Sequence, residues 1–387
     1  MVLHFLFFNL VVYLMALSRK NFVKGVAIGT LATPFAIKAL TGDAIAQKNN
    51  TTGSVSTEKF QWKMVTTWPP NFPVLGEGCT YFADLVRTMS NGRMEIKVYG
   101  GGELVPALEC FDTVRSGAAE MGSGAAYYWA GKSPAAQFFA TVPFGMNAQQ
   151  MNAWLLTGGG MKLWEKLYAN FNLIPMVFGN TGVQMGGWFN REINNIADFK
   201  GLKIRMPGLG GKVLERAGAT PVLLAGGEIY TGLERGVLDA TEWIGPYHDY
   251  KMGFNQIAEY YYTPGWHEPG TVLELIINKE AFEDLPEDLQ QIIRVAAEAI
   301  NNWVLLELET KNAEYLSVMV EEGVKIRQFS KEILSTLRTY TDEILEDLTA
   351  KDEYARKVYS SFRAYRKKAV MWSGLTEKVF YNNIQVG

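Results

Sequence analysis

Apolar and polar residues alternate in FQWKMVTTW (Phe60–Trp68), and this period of two predicts a β-strand. A second strand is predicted over Met94–Gly100. Apolar residues at helical spacing predict helices at Glu77–Ser90 and Pro106–Ser116. Strand, helix, strand and helix in this order indicate a parallel sheet covered by helices.

A second run of alternating strands and helices follows further along the chain. The expected strands are Leu173–Asn180, Val183–Asn190, Leu202–Pro207 and Leu238–Ile244, the expected helices are Gly210–Ala217 and Glu228–Gly236, and TPVLLA (Thr220–Ala225) joins the same unit. The chain is therefore expected to form a second α/β unit.

Helical periodicity continues without interruption from Pro286 to about Glu322, which is far longer than an ordinary globular helix. Such a helix either spans two domains or forms the contact in a homodimer. Two more helices, Lys331–Leu348 and Asp352–Val370, are expected to end the chain.

Residues 1–46 have the features of a targeting segment. SRKNFVK (Ser18–Lys24) is basic, and Gly25–Leu40 is apolar but shorter than the roughly 20 residues that a membrane span needs. Ala44–Ala46 forms a small-residue cleavage site. We expect export to the periplasm, cleavage after Ala46, and a flexible polar linker over residues 47–59.

The export route and the start of the protein stay open at this point. SRKNFVK resembles a twin-arginine signal in which Lys20 replaces the second arginine, so the general secretory and twin-arginine routes both remain. The uncharged apolar segment upstream either precedes a true start at Met15 or forms a membrane anchor over residues 2–17.

Composition limits the classes of partner. With 387 residues, 48% of them hydrophobic and 20% charged, the chain is long enough for two to three domain-sized units. Removing residues 1–46 takes away four basic residues and one acidic residue, and it changes the formal net charge from −3 to −6. A mildly acidic chain lacks the electrostatic footprint of a nucleic-acid-binding protein, so we expect no nucleic acid.

Cysteine and histidine residues are few and scattered. Cys79 and Cys110 are either joined by a disulfide, as export permits, or two buried thiols. The three histidines, at positions 4, 248 and 267, are far apart in sequence. No cysteine or histidine cluster of the kind that binds zinc is therefore expected.

Within GLKIRMPGLGGKV (Gly201–Val213), the glycines of GLGG follow a strand, as a dinucleotide-binding loop does. A G-x-G-x-x-G pattern that starts at Gly208 requires glycine at position 213, where this chain has Val213. We therefore expect no nucleotide, and we interpret the glycines as a turn after the strand that Pro207 ends.

Arg205 lies in this strand among apolar residues, where a guanidinium needs a partner and matches a carboxylate with two parallel donors. The partner is either an acid of the protein or a ligand. Glu242 in DATEWIGPYHD and Gln184 in VQMGGW are also polar residues within strand-like segments. Arginine, glutamine and glutamate at strand ends of one lobe suit a small anion together with Na⁺ or Ca²⁺.

Three further stretches carry a family resemblance. DFKGLKIRMPG (Asp198–Gly208), VRSGAAEMG (Val114–Gly122) and EIYTGLERGVLDATE (Glu228–Glu242) resemble the solute-binding proteins of TRAP transporters, and the similarity covers Phe60 to Tyr365. The resemblance implies an α/β, two-lobed periplasmic binding protein of the type II kind, with a hinged cleft and a long C-terminal helix. It places lobe I at residues 60–181 and 269–308, and lobe II at residues 182–268 and 309–387.

Within that family the chain is similar to the subgroup that binds a 2-oxo monocarboxylate or lactate with a metal ion. This resemblance implies that Arg205 binds the substrate carboxylate. It also implies that the side chains of Gln184 and Glu242 and the backbone carbonyl of Trp243 hold Na⁺ or Ca²⁺, with Glu268 as a further candidate ligand. Neither the ligand nor the cation is settled by the resemblance.

Gln184 is also a candidate contact for the substrate. Aromatic residues and a histidine complete the expected substrate site, and the candidates are Trp68, Tyr127, Tyr128, Trp129, Trp243 and His267. For each ring, packing in a core is the alternative role, and His267 is either a ligand contact or a structural histidine. We expect His248 to be a surface or capping residue.

The family resemblance implies a receptor that delivers a small carboxylate to a small and a large membrane subunit, which use an ion gradient. Two alternatives are a receptor for another organic acid or a polyol, and a partner that presents its ligand to a sensor. A periplasmic lyase with Glu242 as base is a third, although the chain shows no pairing of catalytic acid and base. We therefore expect a binding protein and not an enzyme.

Overall fold

The computed structural model describes residues 57–384. The expected signal segment or anchor over residues 1–46, and most of the expected linker, lie outside the described residues. Over the range 57–384, no helix combines the length and the apolar character that crossing a membrane requires.

Two mixed β-sheets form the framework. In chain order the strands are β1 (Phe60–Thr66), β2 (Met94–Tyr99), β3 (Met121–Gly124), β4 (Leu173–Asn180), β5 (Gly187–Phe189), β6 (Lys203–Arg205), β7 (Thr220–Val222), β8 (Ala240–Thr241), β9 (Tyr260–Thr263), β10 (Val272–Asn278) and β11 (Lys325–Gln328). The first sheet has the order β2-β1-β3-β10-β4, and the second has the order β11-β9-β5-β8-β6-β7. Each sheet is the centre of one α/β lobe, which confirms the two-lobed fold.

Strand direction follows the path of the chain between the lobes. β1 pairs in parallel with β2 and β3, and β6 pairs in parallel with β7 and β8, as the strand–helix rhythm predicts. β5 and β10 follow the first two crossings between the lobes, and each lies antiparallel to both of its neighbours, whereas β11 follows the third crossing and pairs in parallel with β9. The expectation of parallel sheets is therefore wrong for β5 and β10.

Helices cover both sheets. In chain order they are α1 (Leu75–Met89), α2 (Cys110–Arg115), α3 (Gln137–Ala140), α4 (Ala148–Leu156), α5 (Gly160–Tyr168), α6 (Gly208–Arg216), α7 (Gly226–Glu234), α8 (Pro246–Lys251), α9 (Phe254–Ile257), α10 (Lys279–Glu283), α11 (Glu287–Glu321), α12 (Lys331–Lys351), α13 (Glu353–Leu375) and α14 (Glu377–Asn383). The short helix α14 follows the two C-terminal helices that the pattern predicts and was not expected.

The long helix α11 contacts both lobes. Its first half buries a stripe of apolar residues at helical spacing, Leu289, Ile293, Ala296, Ile300 and Val304, and it packs against α1 and β4 of the first lobe. Its second half packs against α8 of the second lobe, where the backbone N–H of Tyr247 donates to Asn312. The helix therefore spans the two lobes, which is one of the two roles that its length indicates.

Two strand predictions near the candidate site are too long. Val183–Asn190 was expected as one strand, but β5 begins only at Gly187, because the backbone before it bonds elsewhere. The N–H of Gln184 donates to the carbonyl of Glu268 over 3.2 Å, and its own carbonyl accepts from the N–H of Gly265 over 3.0 Å. The strand expected over Leu238–Ile244 is likewise reduced to β8, so Glu242 follows the strand.

The glycines after Arg205 also lie in a different place from the one predicted. Helix α6 begins at Gly208, directly after Pro207. Gly208, Gly210 and Gly211 therefore form the first turn of the helix, and the interpretation of these glycines as a separate turn is wrong. Proline directly before the first helical residue is compatible with this start. It ends the strand, and it has no backbone N–H that would need a hydrogen-bond partner.

Cys79 and Cys110 are buried free thiols, and no disulfide joins them. Burial raises the pKa of Cys79 to about 12 and that of Cys110 further still. Of the two roles that the sequence left open, the structure shows the pair of buried thiols.

A buried acid, Glu274, lies in the middle of β10 in the core of the first lobe. Its carboxylate accepts hydrogen bonds from the indole N–H of Trp129 and from the hydroxyl of Tyr168, the latter over 2.8 Å. Burial raises the pKa of Glu274 to about 7, and these two donors oppose the shift. Trp129, a candidate for the substrate site, is thereby committed to the core of the first lobe.

The raised pKa of Glu274 makes stability fall as pH increases. Between about pH 4.5 and 7 the folded state holds a proton on this carboxyl that the unfolded state has lost. Glu274→Gln keeps an acceptor for Trp129 and removes the charge. It should raise the free energy of unfolding above pH 7 by up to roughly 3 kcal/mol and flatten its decline from pH 5 to 7.

Urea denaturation at a series of pH values measures this effect. Glu165→Gln, at an exposed position in α5, is the control for loss of one negative charge. Parallel pH curves for Glu274→Gln and the wild type would contradict a raised pKa at Glu274.

Candidate functional site

The candidate site lies where strands of the second sheet end against the first lobe. Arg205 is the last residue of β6, and Glu242 directly follows β8, its neighbour in the sheet. The backbone N–H of Glu242 donates to the carbonyl of Arg205 over 3.2 Å. The parallel pairing of β6 and β8 therefore places a guanidinium and a carboxylate side by side at one sheet edge.

Arg205 and Glu242 form a buried ion pair. One guanidinium nitrogen, Nη1, contacts Glu242 Oε1 and also lies 3.3 Å from the Glu242 carbonyl. Each of the two side chains is only 1% exposed. The guanidinium lies 5.0 Å from the ring centroid of Trp243, and its Nη2 donates to the hydroxyl of Tyr128 over 3.4 Å.

A second buried carboxylate, Glu268, lies close to Glu242. Its Oε2 accepts from Gln184 Nε2 over 2.8 Å and from the hydroxyl of Thr271 over 2.5 Å. His267 Nε2 lies 3.4 Å from Glu242 Oε2. Glu242, His267 and Glu268 each offer one atom that could coordinate a metal ion, and these three atoms lie within 4.8 Å of one another.

Burial sets the protonation of these groups. It raises the pKa of Glu242 and of Glu268 to about 7; Arg205 opposes the shift at Glu242, and the Glu242 charge adds to the shift at Glu268. Burial lowers the pKa of His267 to about 4, so this imidazole is neutral at pH 7. Burial lowers the pKa of Arg205, but Glu242 together with Tyr128, Tyr127 and Glu268 outweighs this, so the net shift of the pKa is upward.

The residues present fit a hard cation. Two buried carboxylates, Glu242 and Glu268, face a single permanently charged guanidinium, so this cluster has room for further positive charge. Gln184 Oε1 is buried and has no hydrogen-bond partner within the described residues. Carboxylate and amide oxygens are the ligands that Ca²⁺ and similar hard cations prefer.

Aromatic residues from both lobes close the other side of the site. Trp68, which follows β1 in the first lobe, meets Trp243 edge to face with ring centroids 6.5 Å apart. Phe72 packs on the same indole at 5.8 Å. Tyr127 and Tyr128 of the first lobe pack together at 4.8 Å. Of the rings predicted from the sequence, Tyr128 of the first lobe and Trp243 of the second therefore contact Arg205, and Tyr127 and Trp68 pack against them.

The structure places one site candidate, Trp129, elsewhere, and it also corrects the expectation for His248. Trp129 points its indole N–H to Glu274, because that carboxylate needs a donor inside the first lobe. His248, expected at the surface or at a cap, is fully buried: its Nε2 lies 2.8 Å from the carbonyl of Pro73, across the lobe boundary. Burial lowers the pKa of His248 to about 4, so it packs as a neutral side chain.

Two polar residues that hold the site in place escaped the sequence analysis. Thr271 binds Glu268, and Asp249 accepts from the backbone N–H of Ile244 over 3.3 Å. Asp249 also accepts from Trp188 Nε1 and from the hydroxyl of Tyr261, so it fixes the segment that carries Glu242. Of these two residues, only Asp249 could have been suspected from the sequence. It is an acid in the short segment after Pro246, and a buried carboxylate needs partners.

Comparison with known proteins identifies the family. Residues 64–352 match the model of the family described as bacterial extracellular solute-binding protein, family 7. A curated relative, the monocarboxylate 2-oxoacid-binding periplasmic protein of Nostoc sp., is 39% identical over 366 residues, which are 95% of this chain and 98% of the relative.

Two solved structures of TRAP periplasmic solute-binding proteins superpose closely. The protein of Colwellia psychrerythraea, with bound calcium and pyruvate, has a TM-score of 0.83 and 41% identity over 84% of this chain and all of its own. The protein of Pseudoalteromonas atlantica, with bound sodium and pyruvate, has a TM-score of 0.83 and 40% identity over 85% of this chain and all of its own. The chain therefore belongs to family 7 of the bacterial extracellular solute-binding proteins, the solute receptors of TRAP transporters.

Proposed function

We propose that this chain binds a small 2-oxo monocarboxylate such as pyruvate, together with Ca²⁺ or Na⁺, and releases it unchanged to a TRAP transporter. The observation that carries the proposal is the buried pair of Arg205 and Glu242 at the lobe boundary, with a second buried carboxylate, Glu268, close to Glu242. The pyruvate and the calcium or sodium in the two similar structures support the same pairing of anion and cation.

Arg205 is the group that binds the carboxylate of the acid. Its guanidinium presents parallel donors, which match a carboxylate at two points. Glu242 contacts only one of its nitrogens, Nη1, and Nη2 reaches no further than the Tyr128 hydroxyl at 3.4 Å. An incoming carboxylate therefore has a donor to occupy, and Tyr127, Trp68 and His267 are the neighbouring contacts we assign to it.

Gln184 Oε1, the Glu242 carboxylate and the Trp243 carbonyl would hold the cation, with Glu268 as a further ligand. A bound cation would compensate the second carboxylate and the charge that the ligand brings. It would also favour an acid with a second oxygen next to the carboxylate, as in a 2-oxo or 2-hydroxy acid. The preference for such acids would come from the second oxygen and not from size. Pyruvate and lactate both have this oxygen and are similar in size.

The protein acts outside the cytoplasmic membrane, and its partners are the small and large membrane subunits of the transporter. Export of the chain rests on the sequence of residues 1–46, with the general secretory and twin-arginine routes both open. Two lobes that close around the acid would exclude water and strengthen each charge interaction at the site. The ion gradient that drives uptake is used by the membrane subunits and not by this chain.

Replacing Arg205 by lysine should weaken pyruvate binding by at least about tenfold, because lysine keeps the charge but loses the two-point contact. Calorimetry in the presence of Ca²⁺ measures the affinity. Arg216→Lys, which alters an exposed arginine paired with Glu343 and Asp347, is the matched control and should bind as the wild type does. Equal affinities for the wild type and Arg205→Lys would reject Arg205 as the carboxylate contact.

Removing the cation should abolish or strongly weaken pyruvate binding. The wild type is dialysed against a chelator in sodium-free buffer and then titrated with pyruvate before and after Ca²⁺ or Na⁺ is added back. Gln184→Leu should bind weakly even with cation present, whereas Gln256→Leu, at an exposed position in α9, should not change. Full affinity of the wild type in chelator without sodium would exclude a bridging cation.

We propose further that the protein is a homodimer and that the C-terminal helices take part in the contact. Met371, Trp372, Leu375 and Tyr381, at the end of α13 and in α14, are 66–75% exposed. Large apolar side chains that are exposed together in this way are more typical of an interaction surface than of a surface that stays in water.

Sedimentation velocity of the processed protein should show a dimer at micromolar concentration. The double variant Trp372→Ser, Leu375→Ser should sediment as a monomer, because it removes two large apolar side chains from the contact. Val237→Ser, which removes an apolar side chain exposed elsewhere, serves as the control. A monomeric wild type would contradict the dimer.

A further inference from the structure

Ligand reaches Arg205 only when the two lobes separate. Arg205 and Glu242 are each 1% exposed, and side chains of both lobes cover them. Tyr128 of the first lobe reaches the guanidinium, and Trp68 of the first lobe meets Trp243 of the second. Contacts that form when the lobes meet therefore contribute to affinity even where they do not touch the ligand.

Gly208 makes one of these contacts. It lies in the second lobe, at the start of α6, and a Cβ added there would lie 3.0 Å from Cβ and 3.4 Å from Cγ of Tyr127 in the first lobe. Both atoms are at the base of the tyrosine side chain. Rotation about its χ angles does not move Cβ, so a change of rotamer cannot relieve the clash. A methyl group at position 208 would therefore push the lobes apart.

Gln137 lies at the same contact. Its side chain is fully buried, its Nε2 donates to the carbonyl of Pro134 over 3.1 Å, and its Oε1 has no hydrogen-bond partner among the described residues. That oxygen lies 3.7 Å from the position of a Cβ on Gly208. Helix α6 has no side-chain cap, and its N-terminus carries a partial positive charge that attracts an amide oxygen.

We propose that Gly208 is a positioning residue for ligand binding: with Tyr127 and Gln137 it forms the contact that lets the two lobes close over Arg205. The inference rests on the proposed function. It gives the glycine-rich segment after Arg205 a role, because a bare backbone at position 208 allows α6 to lie against the first lobe. Neighbouring Gly210 serves the same site by making room for His267, whose Cβ would lie 3.0 Å from an added methyl group.

Backbone conformation alone is the competing reason for glycine at this position. Gly208 has φ +58°, which disfavours other residues, but so does Gly201 with φ +72°. A Cβ on Gly201 would meet nothing within 4 Å. Gly208→Ala and Gly201→Ala thus impose the same kind of backbone strain, and only the first creates a clash between the lobes.

The test compares these two variants with pyruvate in the presence of Ca²⁺. Gly208→Ala should weaken binding by at least about tenfold, mainly through faster dissociation, and should lose the ligand-induced decrease in radius of gyration measured by small-angle X-ray scattering. Gly201→Ala should bind within about twofold of the wild type and compact normally, although urea denaturation shows a stability loss for both. Equal affinity and equal compaction of the two variants would overturn the proposal.

Two further measurements keep the proposal testable if an arm fails. Gln137→Met keeps the side-chain length and removes the buried oxygen, so it should weaken pyruvate binding by about threefold if Gly208→Ala does not fold; wild-type affinity would overturn the role of this contact. If the wild type does not bind pyruvate, the proposed function fails separately. The comparison is then repeated with whichever 2-oxo or 2-hydroxy acid raises the melting temperature of the wild type: Gly208→Ala should fail to compact where Gly201→Ala compacts, and equal compaction would reject the contact.

Discussion

The structure depends on one buried guanidinium that faces two buried carboxylates. Arg205 and Glu242 lie side by side because β6 and β8 pair in parallel, and Glu268 reaches them from the segment that leads back to the first lobe. Taking three charged groups out of water costs more than one ion pair returns, unless further partners compensate the remaining charge. That imbalance is the reason we propose a cation at this site, which would in turn compensate the charge of a carboxylate bound to Arg205.

The rest of the fold supports this cluster. Asp249 accepts the Ile244 N–H, together with Trp188 and Tyr261, and so holds the loop after β8. The backbone of Gln184 bonds to the segment around Glu268, which ties the two crossings between the lobes to each other. Helix α11 packs on both lobes and gives them a common base. Rings from the first lobe cover the charged groups: the Tyr128 hydroxyl reaches Arg205, and Trp68 packs against Trp243.

Much of this was predictable from the sequence. The period of two around Arg205, the isolated acid at Glu242 and the polar Gln184 in an apolar segment all indicated buried groups that need partners. Their pairing depends on which strands are neighbours, and no local pattern contains that information. The strand expected around Gln184 failed because its backbone bonds to a segment some 80 residues later in the chain. The predictions for His248 and for the glycines of α6 were wrong for the same reason. Their contacts, Pro73 for His248 and Tyr127 for Gly208, come from the other lobe.

A crystal structure with pyruvate and Ca²⁺ tests the central assignment most directly, because it locates both ions relative to the same side chains. The account predicts a cation within about 2.3–2.6 Å of Gln184 Oε1, a Glu242 oxygen and the Trp243 carbonyl, and the pyruvate carboxylate on the Arg205 guanidinium. A cation bound away from Glu242, or a pyruvate carboxylate that does not contact Arg205, would contradict it.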